Sequence, residues 1–261
     1  MTAPFSAPVF KFDHVWTCPP ITCPTSGENQ AAARLFSAIA KRNPAPAGPI
    51  GVAGLELRAA MMLLHGEPRA PEADNDFWAA KCRSLLLRPA IEPIACSYWA
   101  RFAQFRIDEV AALGMASAMA GRSLVPRKGP ATGRSVHGDV GFERLDVAAQ
   151  WLSKIVVAAG GPELGAALPG YCFAQTIMAH PFSDGNGRFA RLMVHAALAR
   201  CAGIERPVIA LAPAFYRRAR ELGAALTALS ADADWSAFNA TFLSILEDAL
   251  TLTRLLHRRS R

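Results

Sequence analysis

Residues 180–191 place within twelve positions the side chains from which a polyphosphate site with its own base can be built: His180, Phe182, Asp184, Gly185, Asn186, Gly187, Arg188 and Arg191. His180 is the group here whose ordinary pKa lies near neutrality, so it is the candidate general base. Gly185 and Gly187 permit a tight turn and a close approach of backbone to ligand. Asn186, between them, can aim its side-chain NH₂ and its main-chain amide into the same small space. Arg188 and Arg191 lie three apart, so on a helix they share one side, and their forks match phosphate oxygens. A carboxylate beside a polyphosphate repels it unless a cation lies between, so Asp184 implies Mg²⁺. Phe182 is expected to point into the core as a structural anchor. Each residue also has a plain reading: a capping histidine, an N-cap aspartate, turn glycines, arginines on a solvated face. Those readings leave the convergence of base, carboxylate, glycines and forked cations unexplained.

Helices must position this run. An alanine-rich amphipathic segment follows it at 189–200, with Gly203 as a C-cap, and a helix from about Pro169 leads into His180. A bend at a helix N-terminus suits an anion, because its N–H groups lack intrahelical partners and the dipole favours negative charge. Further helices are expected at 52–64, 76–87, 94–105, 107–120, 144–159, 214–230 and 235–257. Thr25 to Glu28 reads as a capping box starting another helix, which Pro44 ends. The stretch before Pro24 reads as an arm on the surface. Between 121 and 141, prolines and glycines replace helical periodicity, and short β-leaning pieces at 124–125 and 135–137 suggest a hairpin-like loop. Arg127, Lys128 and Arg134 in that loop are candidates for contact with an acidic target or a nucleotide, or for an ordinary basic surface. Nothing suggests a βαβ parallel sheet.

The chain as a whole sets bounds on the class. Its 261 residues, 52% hydrophobic and 19% charged, suit a folded protein with a substantial core. The net charge of +7 favours anions as ligands. No interleaved aromatics or reader motif accompany it, so nucleic acid is not expected as a partner. No long apolar run and no leader pattern are seen, so no membrane span and a cytoplasmic location are expected, with export by a route that needs no leader left open. The six cysteines form no Cys-x-x-Cys pair, and His14, Cys18 and Cys23 lack a fourth ligand at useful spacing.

The run His180-Pro181-Phe182-Ser183-Asp184-Gly185-Asn186-Gly187-Arg188, with Arg191 three further on, resembles the signature of the Fic (Fic/Doc) family. The resemblance is clear over 171–203 and extends in outline over 94–230. It implies an all-α fold, a Fic-like helical bundle with a short β-hairpin flap before the motif helices. Residues 1–93 would be an N-terminal arm and helical extension, and 94–261 the catalytic domain. The activity implied is that of a protein adenylyltransferase moving AMP from ATP to a Tyr, Ser or Thr hydroxyl of a target protein. His180 would deprotonate the hydroxyl, and Asp184 would hold Mg²⁺ between the α- and β-phosphates. Gly185, Asn186 and Gly187 would form an anion hole, Arg188 would grip the β-phosphate side, and Arg191 would meet the γ-phosphate. Transfer of UMP, phosphocholine or phosphate on the same scaffold, and a nucleotide-binding or partner module without turnover, are the alternatives. Two departures stand out. Ala179 occupies a position where the family often has a bulky aliphatic residue. The family's inhibitory Ser/Thr-x-x-x-Glu pattern has no convincing copy, so either the enzyme is unregulated in cis or a separate antitoxin-like protein supplies the glutamate.

Overall fold

A computed structural model describes residues 14–42, 59, 101–135, 138–161, 164–205 and 207–259. The helices expected at 52–64 and 76–87, and most of that at 94–105, lie outside the described residues.

The centre is an antiparallel pair of helices. The first, Leu168–Ala179, has Pro169 in its opening turn, where a missing N–H costs nothing. The second, Asn186–Ala202, ends on Gly203 in the left-handed conformation, whose N–H returns to Ala199 and Arg200. Both are buried nearly all round, and Ala190, Ala196 and Ala197 are fully enclosed. Small side chains at these places let neighbouring helices come close.

The other elements wrap this pair. In chain order they are β1 (His14–Trp16), α1 (Ser26–Arg42), α2 (Glu109–Ala120), β2 (Thr132–Ser135), β3 (Gly138–Phe142), α3 (Leu145–Ala148), α4 (Trp151–Gly160), the central α5 and α6 just described, α7 (Leu211–Arg217), α8 (Ala219–Asp232) and α9 (Trp235–Arg259). Thr25 and Glu28 start α1: the Thr25 N–H donates to Glu28 Oε2 at 2.7 Å, and the Glu28 N–H donates to Thr25 Oγ1 at 3.3 Å. Asp108 caps α2 by accepting from the Ala111 N–H at 2.7 Å, and Gly121 closes it with φ 68°. The fold is all-α with a small sheet.

Several expected boundaries move. The helix expected at 144–159 is two, α3 and α4, interrupted at residues 149–150. That expected at 214–230 is also two, α7 and α8, meeting at Arg218. The helix expected from 107 starts at Glu109, after Phe105 takes a left-handed φ of 53°. The hairpin lies further along than the β-leaning pieces at 124–125 suggested: β2 and β3 pair antiparallel, with Thr132 opposite Gly141 and Ser135 opposite Gly138. The described part of the opening arm, from residue 14, joins the sheet. β1 runs parallel to β3, His14 opposite Val140, giving the order β1-β3-β2. Trp16 is buried, donates to Thr227 Oγ1 and packs edge-on against Phe142. One aromatic pair thereby ties the arm to the hairpin. Among the described residues, no helix is long and apolar enough to cross a membrane.

Candidate active site

The six residues between α5 and α6 form a bend held by its own side chains and by the segment entering the hairpin. At its start His180 takes a left-handed backbone, φ 44° and ψ 55°, with its N–H returned to the Thr176 carbonyl at 3.1 Å. At its end Gly185 is also left-handed, φ 77°, a conformation that suits glycine and strains other residues. In between, Pro126 and Phe182 form an antiparallel bridge, the Arg127 N–H donates to Pro181 O at 2.9 Å, and the Ser183 N–H donates to Val125 O at 3.1 Å. Phe182 is buried, edge-on to Trp151 and Phe189.

Asn186 closes the bend from within. Its Oδ1 accepts from the Phe182 N–H at 3.0 Å, and its Nδ2 donates to Phe182 O at 2.9 Å. The side chain is 2% exposed, so it shapes the loop; the main-chain amide is what Asn186 can offer a ligand. The first intrahelical bond at this end is Phe189 N–H to Gly185 O, which leaves the Asn186 and Gly187 amides ahead of the helix ladder. A Cβ built on Gly187 would meet Arg191 Nη1 at 3.7 Å, and one on Gly185 would have Arg188 Nη2 at 4.0 Å. Both guanidinium groups therefore flank the glycines. Arg188 also donates through Nη1 to Met119 O at 2.9 Å, and Arg191 is buried.

Asp184 faces the same side. Its Oδ2 accepts from Arg122 Nη2 at 2.7 Å and lies 4.0 Å from Arg188 Nη2, and its Oδ1 accepts from the Gly185 N–H at 2.6 Å. Partial burial works against its charge, but the Arg122 hydrogen bond, the Gly185 amide and the Arg188 charge outweigh that and hold the carboxyl below the usual range.

The His180 ring stacks face to face on Phe142, centroids 3.8 Å apart and planes 15° apart. Nδ1 is buried and makes no hydrogen bond of normal geometry. Burial pushes the imidazole down to about 4; the nearby Ile177 carbonyl and Asp184 pull it up, and Arg127 pushes it further down. The ring is therefore neutral at pH 7, the state in which it can accept a proton. One turn beyond Arg191, His195 is buried and likewise held at about 4, by burial first and then by Arg191.

These two histidines make a stability prediction. In the unfolded chain both titrate near 6.5, so as the pH falls below that value the unfolded state binds protons first. Native stability should drop between about pH 6.5 and 4, and Glu143, whose carboxyl burial raises, runs the other way in part. Urea midpoints at pH 7.5, 6, 5 and 4.5 check this; His195→Gln should flatten the fall, and an unchanged slope would contradict it.

Sequence reading did not find Phe142, Arg122 or Glu143, and it read Arg127 as a contact to an acidic target or nucleotide or as ordinary basic surface. They stand 37 to 58 residues before His180 in the chain, and their arrival depends on tertiary pairing. Arg127 spends its guanidinium on backbone: Nη2 donates to Ala179 O at 3.0 Å and to Glu143 O, and Nη1 donates to Gly129 O at 3.3 Å. The Glu28 carboxylate is engaged by Thr25 and Asn239.

A helical core whose central hairpin bends through a glycine-bearing turn, with a β-hairpin ahead of it, defines the Fic fold class. The chain is similar to a Fic family protein from Desulfovibrio desulfuricans G20, with a TM-score of 0.60 at 16% identity, over 93% of this chain and 78% of that one. It is also similar to Fic-1 from C. elegans, with a TM-score of 0.53 at 14% identity, over 90% and 74%. No family model and no curated sequence matches. At such identities the likeness is one of fold, and the chain folds as a Fic domain.

Proposed function

We propose that this protein is an adenylyltransferase of the Fic family, moving AMP from ATP to a hydroxyl side chain of a target protein. The observation that carries the reading is the two ends of one bend: a neutral, partly exposed imidazole at its start, and two guanidinium groups around orphan amides at its finish. In this reading the target hydroxyl gives its proton to His180 as its oxygen attacks the α-phosphorus in line. The bond to the bridging oxygen breaks and pyrophosphate leaves. The amides of Asn186 and Gly187 and the forks of Arg188 and Arg191 stabilise charge on the phosphates.

The donor set suits magnesium held jointly with a substrate. Among the described residues no group of three or more His, Cys, Asp or Glu could cage a metal. Asp184 stands as a single ionised carboxylate, which is what an ion shared with phosphates and water requires. Asp184 would hold it, and the ion would offset charge between the α- and β-phosphates. Partners are the hydroxyl-bearing target and a separate inhibitory protein whose glutamate would engage Arg191.

ATP labelled at the α- or the γ-phosphate, offered with a cell lysate, tests the reaction. Transfer from α alone is expected; transfer from γ alone, or none, would overturn it.

Gly133 supplies a second check. A Cβ there would sit 2.9 Å from Cζ of Phe142, the ring that stacks on His180. Gly133→Ala should displace that ring and slow transfer by roughly tenfold, with helicity by circular dichroism unchanged. An unaltered rate would show that the stack does not aim the base.

A further inference from the structure

His180 occupies the left-handed backbone region, which strains a non-glycine residue and persists only where its surroundings over-determine it. Its own N–H bond to Thr176 and its stack on Phe142 do part of this. The carbonyls of the two flanking residues are held by a single side chain and its amide: Arg127 donates through Nη2 to Ala179 O and through its own N–H to Pro181 O. The same Nη2 reaches Glu143 O, and the Glu143 N–H donates to Met178 O at 3.1 Å. The last carbonyls of α5, orphaned by the end of the helix, are thus met by the segments entering and leaving the hairpin. A cation at a helix C-terminus is also electrostatically favoured.

Resting on the reading of His180 as the base, we propose that Arg127 is a positioning residue: its guanidinium fork and main-chain amide grip the carbonyls of Ala179 and Pro181, the residues on either side of His180, and fix the direction of the imidazole. A planar fork can serve carbonyls from three segments at once, which an ammonium on a flexible stem does less well. Ala179 fits this arrangement. It is completely buried, and the peptide it contributes is the one the fork holds.

The test uses the full chain with Arg127→Gln and Arg127→Lys, and Arg144→Gln as a nearby exposed cation that should leave the rate unchanged. Turnover is followed with α-labelled ATP, ATP affinity by calorimetry, and the histidine rings by NMR. A base displaced by about an ångström loses on the order of 10²-fold, so Arg127→Gln should lower kcat by about that factor with KM for ATP unchanged. Arg127→Lys should recover part of the loss. The His180 ring signals should move in both variants while those of His195 stay in place. Wild-type kcat in Arg127→Gln, or a loss wholly in KM, would overturn the proposal. Should Arg127→Gln fail to fold, Arg127→Lys decides: a wild-type rate with unmoved His180 signals removes the need for the fork. If the wild-type protein transfers no label, the function has failed, and the NMR comparison still decides whether Arg127 positions His180.

Discussion

Replacing His180 with alanine is expected to lower label transfer from α-labelled ATP by at least about 10²–10⁴-fold, the usual contribution of a positioned base. The affinity for Mg-ATP should hardly change. The imidazole stacks on Phe142 and leads the bend, whereas the groups proposed to bind phosphate sit at the other end, on the opening turns of α6. Removing the ring leaves the Asn186 clasp on Phe182 intact, and with it the loop that presents the amides. The variant therefore separates chemistry from binding: kcat falls and KM does not. A His180→Ala protein that keeps wild-type turnover removes the base from the account, and one that loses ATP affinity by a similar factor makes His180 a binding residue.

The second large effect is expected at Arg188. Its side chain is 12% exposed, with Nη1 fixed on Met119 O at the end of α2 and Nη2 pointing toward Asp184 at 4.0 Å. The fork is held before any ligand arrives, so little ordering remains to be done when charge develops on the phosphates. Arg188→Met should cost roughly 10²–10³-fold in kcat/KM, the range for loss of one preorganised donor to a developing anion. Arg188→Lys should restore little, because a point charge reproduces neither the two-pronged contact nor the bond to Met119 O. Steady-state kinetics with calorimetry on the three proteins checks this, and full recovery by lysine would show that charge alone matters there.

Much of the architecture was legible because it is local. Pro169, Gly203, Asp108 and the Thr25/Glu28 pair mark helix ends through hydrogen bonds spanning a few residues, and those ends appear where these residues stand. The run 180–191 forms one bend because its members are consecutive. What stayed hidden depends on pairing across the fold. β1 looks like an aperiodic arm until β3 offers it an edge, and nothing near Trp16 in the chain announces Thr227 or Phe142. Asn186 was read as a donor to a ligand, yet its amide matches the Phe182 peptide well enough to be used up there. Arg127 looked like a surface cation in a basic loop. Its burial against the end of α5 follows from the antiparallel bridge at Pro126, which no spacing rule describes. Breaks such as that at residues 149–150 were missed because apolar periodicity continues through them.

The central claim is that the bend after His180 cups a triphosphate, and a crystal structure with magnesium and a non-hydrolysable ATP analogue tests it most directly. The account predicts phosphate oxygens on the Asn186 and Gly187 amides, the guanidinium groups of Arg188 and Arg191 on the outer phosphates, and the His180 ring beside the α-phosphorus with a clear path for a hydroxyl. An analogue bound elsewhere, or phosphates in the cup with the imidazole turned away beneath Phe142, would contradict it.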